Sequence, residues 1–184
     1  WAENGYAAFA HNVFHRQGPD AKGGDAIPHL SDEELLRDTA ALIEKIDGLA
    51  NCDSSRMVVG GHCMGGRVTL LVASSIDRFK AAADFWGGNV MKAWGRETPA
   101  IIDIVGNIKC PVIGFFGNDD GNPAPADVDR LDEELTRHGI SHGFHRYDGA
   151  GHAFQNFLNE ANYRESQAED AWTKVTAFVN ENVA

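Results

Sequence analysis

The apolar positions of this chain fall into two rhythms, short unbroken runs and stripes spaced by three and four. The runs read as buried strands and the stripes as helices with one covered face. Gly5 to Ala10 follows the polar Trp1–Asn4 and predicts a helix end leading into a buried strand. Residues 15–30 carry His15, Arg16, Gly18, Pro19, Gly23, Gly24 and Pro28, the composition of a loop. Ser31-Asp32-Glu33-Glu34 then has the form of a helix start. Behind it Leu35, Leu36, Thr39, Leu42, Ile43, Ile46 and Leu49 make a stripe that predicts a surface helix covering one sheet face. Met57-Val58-Val59 predicts a strand, and Val68 to Ala73 an apolar helix. Ala81–Gly87 and Cys110–Gly117 predict two further buried strands, separated by a loop and short helix over 89–109. A helix from Pro125 to Gly139 turns Val128, Leu131 and Leu135 inward, and His142–Tyr147 predicts the next strand. The final helix sets Ala168, Ala171, Trp172, Val175, Phe178 and Val179 on one face.

Strands alternating with helices define an α/β protein built on a mostly parallel sheet. With 184 residues, 43% of them apolar, and neither repeat nor linker, one domain spanning 1–184 is expected. The formal charge of −11, from 27 acidic and 16 basic residues without a basic cluster, argues against a nucleic-acid partner. No apolar run reaches the roughly 18 residues that would span a membrane. Cys52, Cys63 and Cys110 include no close-spaced pair, so neither a disulfide framework nor a zinc site is expected, and a reducing cytoplasm is the expected setting.

The chemistry centres on Gly60-Gly61-His62-Cys63-Met64-Gly65-Gly66, which joins the strand at Met57 to the helix at Val68. Strand, Gly-x-Cys-x-Gly turn and helix form the context of a nucleophile elbow, here with cysteine. Glycines 61 and 65 flank a turn where larger side chains would strike the neighbouring strand or helix, and Gly66 lets the helix approach the sheet. At a helix N-terminus the dipole and free N–H groups favour the thiolate of Cys63. Asp119 and His152 follow later strands, so all three lie at strand ends that a parallel sheet gathers along one edge. The order nucleophile, acid, histidine is that of α/β-hydrolases. In such a set the imidazole takes the thiol proton, the carboxylate holds the imidazole, and the Met64 N–H supplies half of an oxyanion hole. Asp120 is the competing acid, but the Gly-x-Asp register favours Asp119. Asp148 is expected to stabilise a turn, His62 to pack away from the nucleophile, and Cys52 and Cys110 to be inert. His142 and His145, three apart on a strand, point to opposite faces and do not suggest a metal pair.

Gly61–Gly66, the Gly117-Asn118-Asp119 turn with Pro123, and Tyr147–Phe154 together resemble the dienelactone hydrolase family; Gly5-Tyr6 and Phe14-His15-Arg16 share the likeness. The resemblance implies an α/β-hydrolase fold, a Cys63–Asp119–His152 triad without cofactor or metal, and a small ester or lactone as substrate. It also implies an N-terminal portion bearing the first strands and a second oxyanion donor, both missing from this chain. In the implied strand order Gly5–Ala10 stands two places from Met57–Gly60, leaving an open sheet through which copies could self-associate. Arg16 is a candidate substrate contact. Asn156 stands where the archetype has an arginine, which points away from dienelactone itself. Two other functions remain, a broad short-acyl esterase or thioesterase and a catalytically silent binding protein on the same fold.

Overall fold

The computed structural model describes residues 1–21 and 23–184; Lys22, inside the predicted 15–30 loop, lies outside the described residues. The chain divides into two compact units, Trp1–Ser55 with Trp94–Thr98, and Arg56–Ala93 with Pro99–Ala184.

The first unit holds helix α1 (Gly23–Ala26), helix α2 (Asp32–Asp47) and the short 3-10 turns Ala2–Asn4, His15–Gln17 and Ile27–His29. Ser31 caps α2 by accepting the Glu34 N–H at 3.3 Å, which satisfies one of the free donors of the first turn. Leu35, Thr39, Ile43 and Ile46 are buried along the predicted stripe. Asp32 Oδ2 accepts the Trp94 N–H at 2.8 Å, and Glu33 gathers the N–H groups of Arg96, Glu97 and Thr98, fixing the 94–98 segment to the start of α2. The predicted strand at Gly5–Ala10 is not formed. Gly5 caps a 3-10 turn in the left-handed conformation (φ 84°), and residues 7–10 are exposed and pair with no strand among the described residues. An apolar run without a pairing edge has no ladder to satisfy its backbone groups, so it stays irregular.

The second unit is a four-stranded sheet in the order β1 (Met57–His62), β2 (Phe79–Phe85), β3 (Val112–Gly117), β4 (His142–Tyr147), every pair parallel. Its helices are α3 (Met64–Ser75), α4 (Ile101–Ile104), α5 (Pro125–Arg137) and α6 (Glu165–Val183). This is an α/β fold, and its sheet carries β1 at one edge. All six residues of β3 are buried, as a central parallel strand covered on both faces requires. Helix α3 is apolar nearly all round, and Leu70 and Leu71 are wholly buried. Each such side chain contributes about 1.5–3 kcal/mol by leaving water. On α5, Val128, Leu131 and Leu135 are buried as expected. On α6 the buried face runs through Ala168, Ala171, Val175, Val179 and Val183, and Trp172 lies off it at 41% exposure. A ring that large fits the rim of the stripe, where one edge stays wet.

Candidate active site

Cys63 follows β1 and is the N-cap of α3, with φ 57° and ψ −119°. That backbone is strained for any residue with a Cβ. It is over-determined from both sides, because the Cys63 N–H donates to Phe85 O at 2.9 Å and Cys63 O accepts the Arg67 N–H at 3.2 Å. The turn is as tight as its glycines suggest. A Cβ on Gly61 would lie 2.5 Å from the backbone of Gly65, and one on Gly66 would strike the Asp84 carboxylate and come within 2.8 Å of Gly87 Cα. Gly65 differs from expectation: a Cβ there would meet open space, so only its backbone matters to the turn.

The elbow leaves the Cys63 side chain exposed, with Sγ 3.0 Å from His152 Nε2. His152 Nδ1 lies 2.8 Å from Asp120 Oδ2. Asp120, not Asp119, is therefore the carboxylate on the histidine. The reason is the length of the turn after β3. The Asp120 N–H closes a turn onto Gly117 O (3.3 Å), and the Asp119 N–H is held by Ala150 O (2.9 Å). Asp119 thus occupies the outward corner with its side chain exposed, while Asp120 at the turn's end points in and is 6% exposed. Asp120 Oδ1 accepts the Asn122 N–H at 2.8 Å, which locks the carboxylate's second oxygen.

The electrostatics follow from these contacts. The Asp120 hydrogen bond first, and the Cys63 contact next, raise the His152 pKa to about 10. The His152 hydrogen bond lowers the Cys63 pKa against the opposing effect of burial, and the Met64 N–H, directed at the same sulfur, lowers it further. Both shifts act in the direction that favours an imidazolium facing a thiolate. Cys110 shows the opposite case, with burial pushing its thiol up to about 11.

Trp86, which follows β2, packs beside the histidine. Its backbone has φ 43°, its ring meets His152 edge-on at 6.4 Å between centroids, and Phe154 packs on it at 4.9 Å. His62 stacks on Phe85 at 4.4 Å and lies 3.3 Å from Gln155 Oε1 through Nε2, a packing role as expected. Asp148 accepts from Asn118 Nδ2 at 2.6 Å and braces the loop before His152. Arg16, in the first unit, is held by both oxygens of Asp38 at 2.5 and 2.6 Å. Among the described residues no group of three or more His, Cys, Asp and Glu side chains is arranged to hold a metal ion. No helix among them is long and apolar enough to cross a membrane.

Sequence reading passed over Asp84, Asn89 and Asn122. Only Asp84 carried a signal, an acidic residue inside an otherwise apolar strand run. The two asparagines looked like ordinary loop residues.

A cysteine elbow after a parallel strand, with a histidine and an acid from later strand ends, is the arrangement of the α/β-hydrolase class. The dienelactone hydrolase family model matches residues 1–183, and the chain belongs to that family. A protein of Synechocystis named "Putative carboxymethylenebutenolidase" is 32% identical over 95% of this chain and 74% of its own length. One of the same name from Methylorubrum extorquens is 28% identical over 95% of this chain and 62% of its own length, so this chain spans under two thirds of that relative. The crystal structure of a "Putative Dienelactone Hydrolase" from Klebsiella pneumoniae superposes with a TM-score of 0.78 at 25% identity, covering 91% of this chain and 72% of that one.

Proposed function

We propose that the chain is a cysteine-dependent hydrolase of small esters or lactones, working through Cys63, His152 and Asp120. The observation that carries this is the unbroken contact line from Sγ through the imidazole to a buried carboxylate, 3.0 Å and then 2.8 Å. The thiolate attacks the acyl carbon and the carbonyl electron pair moves to oxygen, where the Met64 N–H is one donor. As the tetrahedral adduct collapses, the C–O bond breaks and His152 Nε2 gives its proton to the departing alkoxide. A water then loses a proton to the same nitrogen and attacks the thioester, releasing the acid and the thiolate. Asp120 keeps the imidazole in the tautomer that serves both steps.

The relatives named carboxymethylenebutenolidase support an ester or lactone as substrate. A broader short-acyl esterase or thioesterase is favoured by a specific feature: Asn156 is neutral and spends its Oδ1 on the Leu158 N–H at 3.1 Å. The adjoining Phe157 and Leu158 are exposed and apolar. Turnover of a panel of p-nitrophenyl esters beside dienelactone, with mass spectrometry for an acyl adduct on Cys63, tests both readings. Stoichiometric alkylation of Cys63 with no turnover of any ester or lactone overturns them in favour of a binding protein.

A further inference from the structure

The acid of the site is held by more than its own loop. Asn122 accepts the Asn89 N–H on its side-chain Oδ1 at 3.1 Å, while its own N–H holds Asp120 Oδ1 at 2.8 Å. Asn89 lies on the turn that leaves β2, a segment with two non-glycine residues at positive φ, Trp86 (43°) and Asn89 (56°). Asn89 O in turn accepts Arg67 Nε at 3.3 Å, and Arg67 Nη2 donates to Lys92 O at 2.8 Å. Arg67 is wholly buried on the first turn of α3, and its backbone N–H returns to Cys63 O. Gly88 leaves no spare room beside this chain, since a Cβ there would collide with Asn122 Oδ1.

Strained turns persist only where surrounding contacts fix them, and this one joins the loop of the acid to the helix of the nucleophile. We infer that Asn122 is a positioning residue: through Asn89 and Arg67 it ties the Asp120 carboxylate to the α3 elbow, setting how well the imidazolium is held against the Cys63 thiolate. Asn122 touches no reacting atom. It acts on the backbone bond that fixes the second oxygen of Asp120, leaving the first aligned with His152 Nδ1. The inference rests on the triad proposed above, but its readout does not require turnover.

The test is the pH profile of Cys63 alkylation by iodoacetamide, measured on the whole chain. Asn122→Ala removes the acceptor for Asn89, and Gly88→Ala displaces Asn122 from the other side. Both should raise the midpoint of thiolate formation by about 1 pH unit, because an imidazolium that Asp120 no longer aligns loses its hydrogen bond to Sγ, an effect larger than the relief of repulsion between Asp120 and the sulfur. Below the midpoint that is about a tenfold slower alkylation at fixed pH. Should Asn122→Ala fail to fold, Gly88→Ala carries the same reading. A profile superimposable on wild type in whichever variants fold assigns Asn122 a structural role alone and overturns the inference. A shifted profile in a protein that hydrolyses no ester keeps the inference and removes the hydrolase reading.

Discussion

Cys63 Sγ and His152 Nε2 are 3.0 Å apart, close enough for the proton between them to be shared or transferred without rearrangement. Asp120 raises the imidazole to about 10 and the imidazole in turn lowers the thiol, so both shifts favour an imidazolium facing a thiolate. Cys63→Ala should therefore lower kcat by at least about 10³-fold, since the residual rate must come from water attack within the remaining site. Cys52→Ala and Cys110→Ala should stay within a few fold of wild type. Steady-state rates on the best p-nitrophenyl ester decide this. A Cys63→Ala variant retaining a tenth of the activity removes Cys63 as the nucleophile.

The pair also sets a pH dependence with a definite sign. A thiol of ordinary pKa is below about 1% thiolate at pH 6, and alkylates slowly there. Cys63, whose thiol is lowered by His152, should alkylate faster at pH 6 than a thiol of ordinary pKa, whereas Cys110, pushed up to about 11, should remain unlabelled. On the alkaline side kcat should fall as pH rises through about 10, because deprotonated His152 no longer offers a proton to the leaving group. Peptide mass mapping after timed labelling reads the first limb and a pH–rate profile the second. Equal labelling of Cys63 and Cys110 at pH 6 contradicts the ion pair.

Asp119 and Asp120 separate cleanly by substitution. Asp120→Asn leaves a side chain of the same shape that no longer fixes the productive tautomer, and a loss of about 10³–10⁴ in kcat is expected. Asp119→Asn alters an exposed side chain at the corner of the turn and should change kcat less than about threefold. The reverse ranking in kcat/KM would return the acid role to Asp119.

The elbow and the sheet were legible because their signals are local. The Gly61–Gly66 spacing reports a turn with no room for a Cβ at Gly61 or Gly66, and the unbroken apolar runs report strands covered on both faces. The choice between Asp119 and Asp120 was not legible, since it depends on one turn closing onto Gly117 and on Ala150 from another strand's loop. Trp172 was misplaced for a related reason: periodicity locates a helical stripe, but how far its rim is covered depends on the neighbours. Gly5–Ala10 reads as a strand by composition, yet a strand exists only where another offers it an edge. Asn122 and Asn89 matter through contacts 33 residues apart, a relation that spacing cannot express.

Asp84 supplies the last prediction. Its side chain is fully buried in β2, Oδ1 accepts the Gly87 N–H at 2.8 Å, and Oδ2 has no hydrogen-bond partner among the described residues. Burial raises its pKa from 3.8 to about 7. Between these values the folded chain keeps a proton that the unfolded chain has released, so the native state binds more protons and stability falls as pH rises. The loss begins near pH 4 and is complete above about pH 7, with a magnitude on the order of a few kcal/mol. Asp84→Asn removes the titration while keeping an oxygen for Gly87. The difference between the two proteins isolates this group from every other carboxylate. Urea midpoints at pH 5 and pH 8 should show the wild type losing more stability than the Asp84→Asn variant, which should be the more stable of the two at pH 8. Parallel changes in the two proteins would show that Asp84 is ionised in the folded state at both pH values, and that the space beneath Gly66 and Gly87 is wetter than its burial implies.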